Sequence, residues 1–191
     1  MMDREPDPAT AIRIHVVQGE QHVESNPNAM LTTILGSCIA ACLWDPVRGI
    51  GGMNHFLLPG EDNQAADPAS SGSSARYGVH AMELLVNALL RRGARRENLQ
   101  AKLFGGGRMI RGLTDIGELN ATFAERFLRA EGIPIAGGSL RGDQGRRIQF
   151  WPASGRARQV LLRPETRTVF QSEYQASASK APSQTGAVEL F

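Results

Sequence analysis

The stretch Thr32-Thr33-Ile34-Leu35-Gly36-Ser37-Cys38-Ile39-Ala40-Ala41-Cys42-Leu43-Trp44 decides how this chain is read. An apolar and β-branched segment, Met30 to Leu35, breaks at Gly36-Ser37. A second apolar run, Ile39 to Trp44, is closed by the turn formers Asp45-Pro46-Val47-Arg48-Gly49. A third run, Ile50 to Leu58, stops at Pro59-Gly60. Short apolar runs bounded by turn residues predict three successive strands. The last two flank a short turn and are expected to lie side by side.

Outward from this centre, Ile12 to Val17 alternates as a strand, and residues 18–29 are polar with the turn signal Asn26-Pro27-Asn28. Residues 60–75 form a low-complexity loop, expected as a flap beside the site or as a disordered insertion. Tyr77 to Arg92 predicts a helix through the stripe Met82, Leu85, Val86, Leu89 and Leu90, with Gly93 as its stop. Leu99 to Phe104 reads as a strand leading into Gly105-Gly106-Gly107. Asp115-Ile116-Gly117 precedes a second helix, which carries Leu119, Phe123, Phe127 and Leu128 and runs to about Glu131. Ile133 to Ala136 starts another strand, and Arg147 to Trp151 with Ala157 to Arg163 predicts a hairpin. The order of strands, helix, strand, helix and strands predicts one α/β or α+β domain. Its expected bounds are 12–170, with a flexible lead at 1–11 and a flexible tail at 171–191.

Composition narrows the function classes. The chain has 191 residues, 41% of them hydrophobic and 21% charged, which suits a globular domain with a sizeable core. A net charge of +2 gives no electrostatic footprint for nucleic acid. The polar start, Met1-Met2-Asp3-Arg4-Glu5, lacks the apolar segment of a secretory signal, and no apolar run approaches membrane-spanning length. The expected compartment is the cytoplasm, where two cysteines are expected as thiols.

Cys38 and His55 carry the chemistry. A nucleophilic cysteine needs a base or a positive potential beside it. Cys38 follows a Gly-Ser turn, and a helix beginning at Ile39 would supply such a potential through its N–H groups. A buried structural cysteine is the alternative, and Cys42, inside the apolar run, reads that way. His55 interrupts Gly51-Gly52-Met53-Asn54 before Phe56-Leu57-Leu58-Pro59, unlike His15, His22 and His80, which sit in ordinary settings. A third group must orient the imidazole. Thr32 and Thr33 are the candidates, and strand alternation counted from Cys38 favours Thr32 unless a bulge intervenes. A metal site at Cys38, Cys42 and His55 lacks a fourth ligand at recognisable spacing. Gly105-Gly106-Gly107-Arg108 lacks the Lys-Ser/Thr of a phosphate loop, so close approach of backbone explains those glycines better.

Several blocks in one order then resemble the chemoreceptor glutamine deamidase family, CheD. They are Leu35-Gly36-Ser37-Cys38, Asp45-Pro46, Gly52-Met53-Asn54-His55-Phe56-Leu57-Leu58-Pro59, Arg76-Tyr77, and Ala101-Lys102-Leu103-Phe104-Gly105-Gly106-Gly107. Ile116-Gly117 with Asn120, Glu131-Gly132-Ile133-Pro134, and Gly145-Arg146-Arg147 with Phe150 complete the set. The resemblance covers roughly residues 12–165. It implies a two-sheet β core flanked by helices, similar to the bacterial toxin deamidases and YfiH-like cysteine hydrolases. It also implies a protein-glutamine glutaminase with Cys38 as nucleophile, His55 as base and Thr32 as the residue positioning it. Backbone N–H groups near Ser37 and Cys38 are candidate oxyanion donors, and Gly105 and Gly106 with the 60–75 loop are candidate walls of the substrate cleft. The implied substrates are glutamine side chains of methyl-accepting chemotaxis receptors, with no metal or organic cofactor and with a CheC-like phosphatase as a partner in some relatives. Two positions depart from the family pattern: Arg141-Gly142-Asp143 replaces a Gly-Gly pair, and Gly107 stands where alanine is expected. A non-catalytic adaptor, or a thiol hydrolase of small amides and esters, is the alternative function.

Overall fold

A computed structural model describes residues 12–59, 71–109 and 115–162. The expected lead, the expected tail and residues 60–70 of the expected flap lie outside these. Three layers are stacked: two helices, a five-stranded sheet and a four-stranded sheet. The strands are β1 (Ile12–His15), β2 (Gln21–Glu24), β3 (Ala29–Leu35), β4 (Ile39–Asp45), β5 (Ile50–Phe56), β6 (Gln100–Gly105), β7 (Ile135–Leu140), β8 (Arg146–Trp151) and β9 (Arg156–Leu161). The helices are α1 (Ser71–Arg91) and α2 (Ile116–Ala130). One sheet has the order β1-β3-β8-β9 and the other β2-β5-β4-β6-β7.

The apolar run Ile39 to Trp44 is the middle strand of the larger sheet, and every residue of β4 is buried. That position explains its unbroken hydrophobicity, because both of its faces are covered. Ile39, Ala41 and Leu43 pack against the helices, with Met82, Leu85, Val86 and Leu89 of α1 and Ala121, Ala124 and Leu128 of α2. Cys38, Ala40, Cys42 and Trp44 face the other way, into a second core with Leu31 and Leu35 of β3 and Ile148 and Phe150 of β8. The chain therefore passes from one sheet to the other at Gly36-Ser37-Cys38.

Three differences from the sequence reading are physical in origin. No helix starts at Ile39, where the β-sheet ladders to β5 and β6 claim the backbone instead. The polar segment 18–29 contains strand β2, an edge strand paired with β5, whose half-exposed residues give a weak apolar pattern. Helix α1 begins at Ser71 rather than Tyr77, although glycine and serine are poor helix formers. Within the helix, Gly78 allows close packing: a Cβ there would lie 2.6 Å from both Leu58 and Phe123.

Adjacent leucines of α1 separate core from surface. Leu85 is fully buried, whereas Leu84 is 39% exposed. Leu85→Ala is expected to lower stability by about 2–5 kcal/mol, and Leu84→Ala by no more than about 0.5 kcal/mol. Urea denaturation of the two variants beside wild type measures this.

Candidate active site

β4 and β5 form an antiparallel hairpin in which Ala40 is opposite His55 and Ile39 is opposite Phe56. Paired residues point to the same face, so His55 faces the inter-sheet core with Ala40. Cys38, two residues before Ala40, projects to that same side. The thiol and the imidazole are thus diagonal neighbours across one hairpin, a relation that places such Cβ atoms within about 7–8 Å. Cys38 is 8% and His55 5% exposed.

His55 is oriented from three directions. Its backbone N–H donates to Glu20 O (3.0 Å), and its carbonyl accepts from Gly19 N–H (2.7 Å). Its Nδ1 lies 2.9 Å from Thr33 Oγ1 and 3.4 Å from the Val16 carbonyl. A carbonyl only accepts, so the tautomer that satisfies Val16 carries its proton on Nδ1 and leaves Nε2 as a bare lone pair. Nε2 is buried with no hydrogen-bond partner among the described residues. A buried polar atom left so costs about 1–3 kcal/mol, the kind of expense found where an atom awaits a reaction partner. Burial is also the main cause that pulls the His55 pKa from 6.5 down to about 4. The ring is therefore neutral at physiological pH. Burial pushes the Cys42 thiol far up, consistent with an inert core position.

The geometry corrects the choice between the threonines. Thr33, not Thr32, presents its hydroxyl to His55. The Thr32 hydroxyl donates to Ile148 O at 2.8 Å, and the Thr32 carbonyl accepts from Val16 N–H at 3.0 Å. Counting alternation back from Cys38 assumes one continuous strand. The chain changes sheets at Gly36–Cys38, so the odd residues Leu31, Thr33 and Leu35 and the even residues Cys38 and Ala40 both face the space between sheets.

Gly105 and Gly106, expected as cleft walls, pack behind Cys38, and Gly106 also lines a groove at the surface. Gly106 N–H donates to Cys38 O (2.9 Å), and Gly107 N–H donates to Gly36 O (2.8 Å). A Cβ on Gly105, whose φ is 109°, would fall 1.9 Å from Cys38 O, so no side chain fits there. Asn120 completes the support: its Nδ2 donates to Ser37 O and its Oδ1 accepts from Leu58 N–H, both at 2.9 Å. Three consecutive carbonyls, Gly36 to Cys38, are thus held on one side. In trans peptides the Ser37 and Cys38 N–H groups then point to the opposite side.

Sequence reasoning missed the Val16 carbonyl, the role of Asn120, and Gln18, whose Oε1 lies 3.5 Å from Cys38 Sγ. Asn120 had a signal: it is a polar residue inside the buried stripe Gly117, Ala121, Ala124 and Leu128 of α2. A backbone carbonyl and a side chain on a surface turn have none. Arg141 has φ 72° and donates to Glu118 and Glu125 of α2. It lines a groove of about 310 Å³ with Gly106, Arg108, Asp115, Glu118, Gly142 and Asp143.

His55 ties stability to pH. The unfolded ring titrates near 6.5 and the folded ring at about 4. The unfolded chain binds the extra proton in that window, so the stability owed to neutral His55 is complete above about pH 6.5. It is lost as pH falls towards 4, up to about 3 kcal/mol. Urea unfolding of wild type at pH 7 and pH 4.5 is expected to show this loss, and His55→Gln is expected to show a smaller one.

Residues 57–161 match the family model described as CheD chemotactic sensory transduction. The chain is 61% identical over 184 residues to the probable chemoreceptor glutamine deamidase CheD of Acidiphilium cryptum, covering 96% of each. It is 56% identical to the protein of that name from Rhizobium leguminosarum bv. trifolii, covering 95% of this chain and 97% of the relative. Against that of Caulobacter vibrioides it is 58% identical over 82% of this chain and 81% of the relative. Among solved structures it is similar to the Bacillus licheniformis hypothetical protein YfiH, with TM-score 0.40 and 14% identity over 63% of this chain and 50% of that one. Identity at this level across nearly the whole length leaves one assignment: the chain belongs to the CheD family.

Proposed function

We propose that this chain deamidates glutamine side chains of methyl-accepting chemotaxis receptors in the cytoplasm, converting them to glutamate with release of ammonia. One observation carries the chemistry: a neutral, buried His55, held at Nδ1 by Thr33 and Val16, keeps a bare Nε2 on the face it shares with Cys38. The substrate class is supported by the names of relatives similar over nearly the whole chain.

His55 Nε2 takes the Cys38 proton, and the thiolate attacks the glutamine carboxamide carbon. The carbonyl electrons move to oxygen, where the Ser37 and Cys38 N–H groups are the assigned donors. The orientation of their peptide planes, set by Gly107 and Asn120, supports this role. The His55 imidazolium returns its proton to the departing nitrogen, ammonia leaves, and a thioester remains. Water then gives a proton to His55 and attacks the thioester. Collapse of that adduct expels the sulfur, which recovers the proton, and leaves glutamate. Each step is carried by the chain's own groups and water. The product adds a negative charge to the receptor surface. A CheC-like phosphatase is the proposed partner, on the family resemblance alone.

Thr33 acts through His55 and is a positioning residue. Thr33→Val is expected to lower kcat by roughly 10–100-fold, the scale of one to three kcal/mol, and to change the acid limb of the pH–rate profile. Thr33→Ser is expected to restore most of the rate. Thr32→Val keeps the backbone carbonyl that holds Val16, so its kcat is expected to stay within about threefold of wild type. Mass spectrometry of receptor peptides incubated with each protein measures these rates. The same assay tests the reading itself: wild type is expected to convert glutamine to glutamate, and Cys38→Ala to lose on the order of 10³-fold or more. Equal conversion by Cys38→Ala would refute the proposal.

A further inference from the structure

The side chain that meets the candidate nucleophile is itself a carboxamide. Gln18 Oε1 lies 3.5 Å from Cys38 Sγ, within reach of a thiol S–H donor. Gln18 stands on the turn between β1 and β2, and it is exposed. Its backbone is anchored on both sides by the hydrogen bonds that hold His55. Val16 O reaches His55 Nδ1, Gly19 N–H donates to His55 O, and Glu20 O accepts from His55 N–H. The backbone of residue 18 is therefore held beside the site, while the residue itself is exposed and its side chain reaches back to the sulfur.

We infer that Gln18 occupies the subsite of the substrate carboxamide in the resting protein and is displaced when a receptor glutamine binds. The inference rests on the deamidase reading, because that reading makes the ligand and the occupant the same chemical group. The resident amide is presented the wrong way round for reaction. Its oxygen, not its carbon, meets the sulfur, and the S–H···O contact requires the proton to stay on sulfur. Nucleophilic attack needs the reverse: a thiolate facing the carbonyl carbon, with the oxygen turned to N–H donors. Gln18 is thus a cap that competes with substrate and holds Cys38 in its protonated form. An exposed turn residue can leave at the cost of about one hydrogen bond, which sets the size of the competition.

Iodoacetamide tests this in the full chain without any receptor. Alkylation reports Cys38, since Cys42 is fully buried. Gln18→Ala is expected to label roughly 3–10-fold faster than wild type at pH 7.5, the equivalent of one modest hydrogen bond. Gln18→Asn, one methylene shorter, is expected to behave like Gln18→Ala. Gln18→Glu places a carboxylate beside the sulfur and is expected to label more slowly than wild type. In the receptor-peptide assay, KM is expected to fall for Gln18→Ala by about the same factor as the labelling rises. Labelling of Gln18→Ala no faster than wild type would overturn the cap. So would Cys38-dependent conversion of Gln18 to glutamate in wild type, which would make it a substrate. If labelling accelerates but no receptor glutamine is converted by any variant, the deamidase reading fails while the contact between Gln18 and the thiol stands.

Discussion

The site depends on how three consecutive carbonyls are satisfied where the chain changes sheets. Gly36, Ser37 and Cys38 leave β3 and have not yet joined β4, so sheet ladders do not serve this corner. Gly107, Asn120 and Gly106 supply the donors instead. An unpaired buried carbonyl would cost about 1–3 kcal/mol, and three of them would threaten a domain of ordinary stability. The glycines at 105–107 and the asparagine in α2 are consequences of that requirement. Gly117 belongs with them, since a Cβ there would fall 2.5 Å from both Gly106 O and Gly107 O.

This arrangement has a chemical effect as well as a structural one. Holding the Gly36 and Ser37 carbonyls on Gly107 and Asn120 turns the Ser37 and Cys38 N–H groups away from those donors. The N-terminal segment does the complementary work on His55, using Val16 and Glu20 as backbone acceptors and Gly19 as a donor. Cys38 and His55 are therefore both anchored largely through main-chain hydrogen bonds. Thr33 adds a hydroxyl at the ring. Burial does the rest, keeping the imidazole neutral.

Arginines reinforce the frame at its margins. Arg146 is 2% exposed and donates through Nη1 to Ser139 O, and through Nη2 to Arg141 O, joining β8 to the end of β7 and thus one sheet to the other. Arg141 ties the following turn to two glutamates of α2. Its left-handed backbone is the conformation that glycine adopts most readily, and the ion pairs with Glu118 and Glu125 offset that strain.

By itself, the order of residues determined the strands of the β4–β5 hairpin, both helices, and the nearness of Cys38 to His55, because these rest on local periodicity and a four-residue turn. It also carried the family resemblance, through short blocks whose order survives in one dimension. The tertiary structure decided which threonine reaches the imidazole, because facing parity is lost when a chain moves between sheets. It decided that Gly106 and Gly107 hold the Cys38 and Gly36 carbonyls, since a carbonyl's partner can lie anywhere in the chain. And it brought Gln18 to the sulfur, a meeting of two side chains from different elements that no pattern along the sequence encodes.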